Sequence, residues 1–286
     1  MSKFAKITVL GAGVLGSQIA FQTAYSGFQV VAYDINDEAL IKAKKRFDEL
    51  AVTYDREVDG ASDGKTSAAH LRLTYSKDLA AAVADADLVI EAVPENIDIK
   101  KDIYARLGDA APAKTIFATN TSTLLPSSMM EFTGRPEKFL ALHFSNHIWR
   151  QNTAEVMGTS ETDPEVYRQV AEFAAEIGMV AIEIKKEQPG YLLNSLLVPL
   201  LAAAGGLYAD GIAEPEMIDK TWKIGTGSPK GPFEIYDTIG LNTIYNIASA
   251  GDDDRQQKFA QLLKENYIDQ GKLGAETGEG FYKYPR

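Results

Sequence analysis

The chain has 286 residues, enough for one large domain or two. With 45% hydrophobic and 24% charged residues it is neither disordered nor fibrous, and the absence of cysteine excludes disulfides, thiolate metal sites and a cysteine nucleophile. Asp and Glu number 40 against 29 Lys and Arg, a net charge of −11 that opposes non-specific nucleic-acid binding.

In chain order, the N-terminus runs directly into an apolar stretch without the pattern of a signal peptide, so a cytoplasmic location is expected. KITVL, residues 6–10, predicts a first strand, followed by a Gly-rich turn and a helix through Tyr25. A second strand is expected at 29–33 and a charged amphipathic helix at 37–58. Further strands are predicted at 71–75, 87–93, 115–118, 139–144, 153–157 and 179–184, with helical patterns between most of them. Such alternation argues an α/β fold with a doubly wound, mostly parallel sheet. The pattern ends in the polar stretch 185–188 and a Pro189-Gly190 breaker. Beyond it only helices are expected, at 190–210, 214–224, 238–249 and 254–268. This divides the chain into a nucleotide-binding domain, 1–187, and an all-helical domain, 188–286. The longest apolar run, 192–208, is short for a membrane span and reads as a buried helix.

Gly11-Ala-Gly13-Val14-Leu15-Gly16 follows the first strand and opens a helix. The first glycine permits the tight turn, the second lets a pyrophosphate approach the backbone, and the third lets helix and strand pack closely. The helix N-terminus offers unpaired N–H groups to the phosphates. Asp34 ends the second strand, 23 residues after Gly11. A carboxylate there can accept from ribose hydroxyls and repels a 2′-phosphate, which favours NAD(H) over NADP(H).

Three histidines offer proton chemistry near neutral pH. His143 ends a strand, where open α/β sheets place their ligands. Glu155 lies in an apolar run 12 residues later. If the two strands are neighbours, the carboxylate can orient the imidazole and stabilise its charged form. His70 reads as solvated in a polar linker, and His147 lacks the further ligands a metal site needs, so no metal is expected. Asn120-Thr121-Ser122-Thr123 either contacts a substrate or caps a helix near 126–132. Glu95-Asn96 either faces a cofactor or simply precedes a helix at 98–107. Asn194 sits in the apolar helix after the Pro-Gly break, where a buried amide requires substrate, backbone or another subunit as partner.

These segments together resemble the short-chain L-3-hydroxyacyl-CoA dehydrogenase family. The resemblance rests on GAGVLGSQIA (11–20), DLVIEAVPEN (87–96), ATNTST (118–123), LALHF (140–144), AEVM (154–157), PGYLLNSLLVP (189–199), GSPKGPFEIYDTIGL (227–241) and TGEGFYKY (277–284). It implies His143 as catalytic base, Glu155 as its partner, and Ser122 and Asn194 at the reacting oxygen. It also implies NAD contacts from Gly11, Gly13, Val14, Leu15, Gly16, Asp34, Glu95, Lys100 and Asn120. A homodimer acting on a small 3-hydroxy or 3-keto acyl substrate of fatty acid metabolism, such as a CoA thioester, follows by the same resemblance, with no nucleic acid or membrane partner. The variant HFSNHIW (143–149) and Ser195 in place of the family's usual arginine depart from the pattern. HFSNHIW resembles the corresponding segment of diketoreductase, a relative that reduces β-dicarbonyl esters. The remaining alternatives are a sugar-acid dehydrogenase and a non-enzymatic, crystallin-like NAD-binding protein.

Overall fold

The computed structural model describes residues 3–284. Two compact units divide at Leu192/Leu193. The first is built from β1 (Lys6–Leu10), α1 (Val14–Tyr25), β2 (Gln29–Tyr33), α2 (Asp37–Glu57), α3 (Lys65–Arg72), β3 (Leu73–Ser76), α4 (Leu79–Val83), β4 (Leu88–Glu91), α5 (Ile97–Ala110), β5 (Ile116–Thr119), β6 (Phe139–Phe144), β7 (Thr153–Gly158), α6 (Pro164–Glu176) and β8 (Val180–Ile184). The eight strands form one sheet in the order β3-β2-β1-β4-β5-β6-β7-β8. Every pairing is parallel except β6 with β7. The expected doubly wound α/β sheet is therefore present.

Its strands are buried on both faces, as parallel sheets require. Ile7, Val9, Leu88, Ile90, Leu140 and Leu142 enter one core layer with Ile19, Phe21 and Phe47 from the helices. Leu10, Val89 and Phe117 enter the opposite layer with Ile103, Tyr104 and Leu107. The chain reverses its winding direction beside β1, which lies between β2 and β4. That switch point opens a crevice at the carboxyl ends of the strands.

Local chemistry sets the helix boundaries. Asn36 caps α2 by accepting from the Ala39 amide (2.9 Å), and Asn96 caps α5 by accepting from those of Asp98 and Ile99. Several expectations need correction. His70 is not in a solvated linker: it lies on α3, half-buried, with its ring edge-on to Phe21 at 5.8 Å. The helix expected near 126–132 is two short 3₁₀ turns, Pro126–Ser128 and Met130–Thr133.

The second unit continues α7 (Tyr191–Ala209) from Leu193 and adds α8 (Pro215–Thr226), α9 (Pro232–Ile239), α10 (Leu241–Ser249) and α11 (Asp254–Asn266). The helix expected at 238–249 is α10, which starts at Leu241, and a separate helix not expected precedes it: Pro232 opens α9 and Gly240, at φ +95°, breaks it from α10. Leu201, Ala204, Phe233, Tyr236, Leu241, Phe259 and Leu263 form its core. Two buried aspartates pin its C-terminal segment. Asp219 accepts from the Phe233 and Glu234 amides at the start of α9 and from the Tyr282 hydroxyl. Asp237 accepts from the amides of Phe281 and Tyr282 and the Tyr284 hydroxyl. α7 was expected to be buried. Instead only 28% of its most apolar 18-residue window is buried, and by length and composition alone it could cross a membrane. Its apolar residues surround the helix, and only one face, with Leu201 and Ala204, meets the core.

Candidate active site

The glycine turn leaves β1 with Gly11 at φ +87°. The Gly11 amide donates to the Tyr33 carbonyl at 2.9 Å, tying the turn to β2. A Cβ on Gly11 would lie 2.5 Å from the Ala92 carbonyl oxygen. One on Gly16 would run into the Gly11 carbonyl, so neither position tolerates a side chain. Gly13 differs: its missing Cβ faces open space, with nothing within 4 Å. The turn is thus packed where glycine is needed for fold and empty where a ligand would approach. Asp34 accepts from the Ala12 amide (2.9 Å) and the Ile35 amide (2.8 Å), so the acid expected at the ribose also clamps the turn.

Gly13, Val14, Leu15 and Gly16 line a cavity of about 200 Å³ together with Glu95, Lys100, Asn120 and Ser122. Eight predicted positions therefore meet in one pocket. Glu95 accepts from the backbone of Ser122 and Thr123 (3.1 Å each) and from the hydroxyls of Thr121 and Thr123. Burial alone would raise its carboxyl, but these bonds and the Lys100 charge outweigh that and hold it below the usual range. The 120–123 loop thus takes both of its alternative parts: it lines the pocket and is held locally by hydrogen bonds. Asn120 also accepts from the Phe144 amide (2.9 Å), joining the ends of β5 and β6 beside His143.

Lys100 is buried and pairs with Glu91 at 2.6 Å and Glu95 at 3.3 Å. Glu91 was missed by sequence reasoning. It ends β4 with no exposure and accepts from the Val93 amide, Lys100 Nζ, the Tyr104 hydroxyl and the Thr119 hydroxyl. The available signal was a carboxylate closing the apolar run LVI, a placement that demands buried partners.

His143 and Glu155 lie directly opposite on antiparallel β6 and β7. Their side chains meet at 2.9 Å, Nδ1 to Oε2, and both are buried. The other oxygen of Glu155 accepts from the Leu192 amide at 2.9 Å. The imidazole is stacked on Tyr191, with centroids 4.5 Å apart and planes 18° from parallel. Tyr191 is fully buried and holds φ +55° after Gly190 at φ +76°. Burial raises its phenol above the usual range, with the Glu95 and Glu155 charges adding to the effect. Sequence reasoning also missed Tyr191; the Pro-Gly breaker before it was the available clue.

His147 is exposed, holds φ +59°, donates its amide to Gln18 (2.8 Å) and sets its ring edge-on to Trp149. Trp149 Nε1 donates to Glu57 at 2.7 Å. Asn194 lies on α7 in the second unit and is half-buried rather than fully buried.

A nucleotide crevice beside a buried histidine–carboxylate pair defines a dinucleotide-dependent oxidoreductase class. The model of the 3-hydroxyacyl-CoA dehydrogenase NAD binding domain matches residues 6–188, and that of the family's C-terminal domain matches 190–284. The chain belongs to the 3-hydroxyacyl-CoA dehydrogenase family and is an oxidoreductase of that type. A solved diketoreductase, studied for substrate-directed dual catalysis of dicarbonyl compounds, is 66% identical over 99% of this chain and 100% of that one, with a TM-score of 0.97. The mitochondrial hydroxyacyl-coenzyme A dehydrogenase of Rattus norvegicus is 36% identical over 97% of this chain and 90% of its own. The (S)-3-hydroxybutyryl-CoA dehydrogenase of Ralstonia eutropha is 27% identical, with a TM-score of 0.83 over 99% of this chain and 100% of that one.

Proposed function

We propose that this chain moves a hydride reversibly between NAD(H) and the C3 hydroxyl or keto carbon of a small substrate. The observation that carries this reading is the buried His143–Glu155 pair, joined through Phe144 and Asn120 to the glycine-turn pocket. The open space at Gly13 fits the pyrophosphate of the coenzyme, and Asp34, Glu95, Lys100 and Asn120 are the further residues to hold it. NAD(H) supplies the hydride acceptor or donor. In oxidation, His143 takes the C3 hydroxyl proton, and Glu155 stabilises the resulting imidazolium. In reduction, His143 returns that proton to the oxygen. Ser122, on the pocket wall, donates to the reacting oxygen. Acid–base work of this type contributes about 10²–10⁴-fold. His143→Ala is expected to bind NADH normally while turnover collapses; near-normal turnover would refute the role.

Two substrate classes fit this chemistry. Short 3-hydroxyacyl-CoA thioesters are the class named by the curated relatives, at about a third identity. Dicarbonyl compounds are supported by the 66% identical diketoreductase. The −11 charge adds weight to the second, because it disfavours a polyanionic CoA moiety. Turnover of acetoacetyl-CoA against ethyl acetoacetate and a 3,5-dioxo ester, at matched concentration, decides between them. We also propose a cytoplasmic homodimer. Exposed Leu196 and Val198 on α7 supply the apolar surface for association.

A further inference from the structure

Beneath the pocket lies an ion cluster that the proton chemistry leaves unused. Glu91 and Lys100 are both buried, in contact at 2.6 Å, and Lys100 reaches Glu95 at 3.3 Å. Two carboxylates and one ammonium leave one net negative charge. Lys100 and Glu95 line the cavity; Glu91 lies behind them, fully excluded from solvent. All four of its neighbours donate to it: the Val93 amide (2.9 Å) and Lys100 Nζ on Oε1, the Tyr104 hydroxyl (3.1 Å) and Thr119 hydroxyl (2.8 Å) on Oε2. Glu91 supplies the counter-charge that the buried Lys100 ammonium needs, and Glu95 adds a second carboxylate at 3.3 Å. A full carboxylate without solvent is costly, and it is retained here against that cost.

We propose that Glu91 is a positioning residue that sets the electrostatic bias of the coenzyme pocket, favouring the oxidised over the reduced nicotinamide. This rests on the reading of the pocket as an NAD(H) site. The oxidised ring carries one positive charge and the reduced ring none. A fixed net negative charge in the wall, two of its three groups buried, therefore stabilises the first and is indifferent to the second. Glu91 supplies that net charge, because without it Lys100 and Glu95 cancel. It acts by its charge from behind Lys100, with which it pairs at 2.6 Å, and does not line the cavity itself.

Glu91→Gln is nearly isosteric and can keep a partner at each of the four contacts, two of them with the direction of donation reversed. Its oxygen serves Val93 and Lys100, and its amide donates to the hydroxyls of Thr119 and Tyr104, which can rotate to accept. Dissociation constants for NAD⁺ and NADH are measured by calorimetry on the intact protein. In Glu91→Gln, NAD⁺ affinity is expected to fall about ten-fold relative to NADH, the effect of one unit charge about 12 Å from the ring at an effective dielectric of about 20. A ratio within two-fold of wild type overturns the proposal. The double variant Glu91→Gln/Lys100→Met leaves Glu95 alone, restores one net negative charge and contains no buried unpaired cation. Its NAD⁺/NADH ratio is expected to return to the wild-type value even where both affinities fall. A double-variant ratio displaced about ten-fold from the wild-type value overturns the proposal, whether or not the single variant folds. Wild-type protein that binds neither coenzyme instead refutes the NAD(H) reading itself.

Discussion

Gly13 and Gly16 stand three residues apart in one turn, yet alanine at each position should fail in different ways. A Cβ at Gly13 meets nothing within 4 Å, and the backbone there (φ −66°, ψ −163°) is open to any residue. Alanine loses about 0.5–1 kcal/mol as a poorer N-cap and regains about 0.4–1 kcal/mol from a stiffer unfolded chain. The melting temperature of Gly13→Ala should therefore stay within about 2 °C of wild type. The new methyl does occupy the space in which a pyrophosphate must approach the helix N-terminus. Overpacking of about 1–3 kcal/mol translates to roughly 5- to 150-fold weaker NADH binding. At Gly16 the Cβ runs into the Gly11 carbonyl and lies 3.0 Å from its carbon. Gly11 cannot yield, because its amide is bonded to Tyr33 and its α-carbon is packed against Ala92. Gly16→Ala should lose about 3 kcal/mol, or roughly 6–12 °C. Thermal denaturation and NADH fluorescence titration read the two effects separately. Wild-type NADH affinity in Gly13→Ala, or wild-type stability in Gly16→Ala, would refute the reasoning.

Glu155→Gln keeps the hydrogen bond to His143 but removes the buried charge that steadies the imidazolium. Turnover should fall about 10²–10³-fold with NADH affinity unchanged; wild-type turnover counts against the pairing. Tyr191→Leu removes the ring stacked on His143 and should lower kcat about ten-fold with NADH affinity unchanged, whereas Tyr191→Phe restores turnover. Equal kcat in the leucine and phenylalanine variants would leave the stack without a role. Asp237→Asn turns an amide toward donors from Phe281, Tyr282 or Tyr284 and should cost about 1–3 kcal/mol in denaturant unfolding. Hydrogen bonds from Arg56 and then Trp149 hold the Glu57 carboxyl down at about 2. A depressed folded pKa stabilises above the unfolded value and is lost as pH falls through the folded one. The stability gap between wild type and Glu57→Gln should thus be full above pH 5 and close toward pH 2; a gap independent of pH contradicts the role of these hydrogen bonds.

Most of the sheet was legible because its strands are short apolar runs and its first turn obeys steric rules that act within a few residues. The glycine spacing placed the pocket at the turn, since Gly11 and Gly16 are required by backbone contacts made inside that same turn and with Ala92, just after β4. The strand-end position of His143 and the apolar setting of Glu155 suggested a pair, but only the antiparallel register of β6 and β7 puts them opposite each other. Short helices such as α3 were not legible, because marginal local preference is decided by packing, here of His70 and its neighbours against α1. The sequence by itself determined the fold class and the place of the glycine turn, which follow from local sterics and periodicity. Only the tertiary structure decided what surrounds them. Thr119 came onto Glu91, Tyr191 under His143 and Leu192 onto Glu155 because residues distant in the chain were folded into contact, and no local rule encodes such contacts.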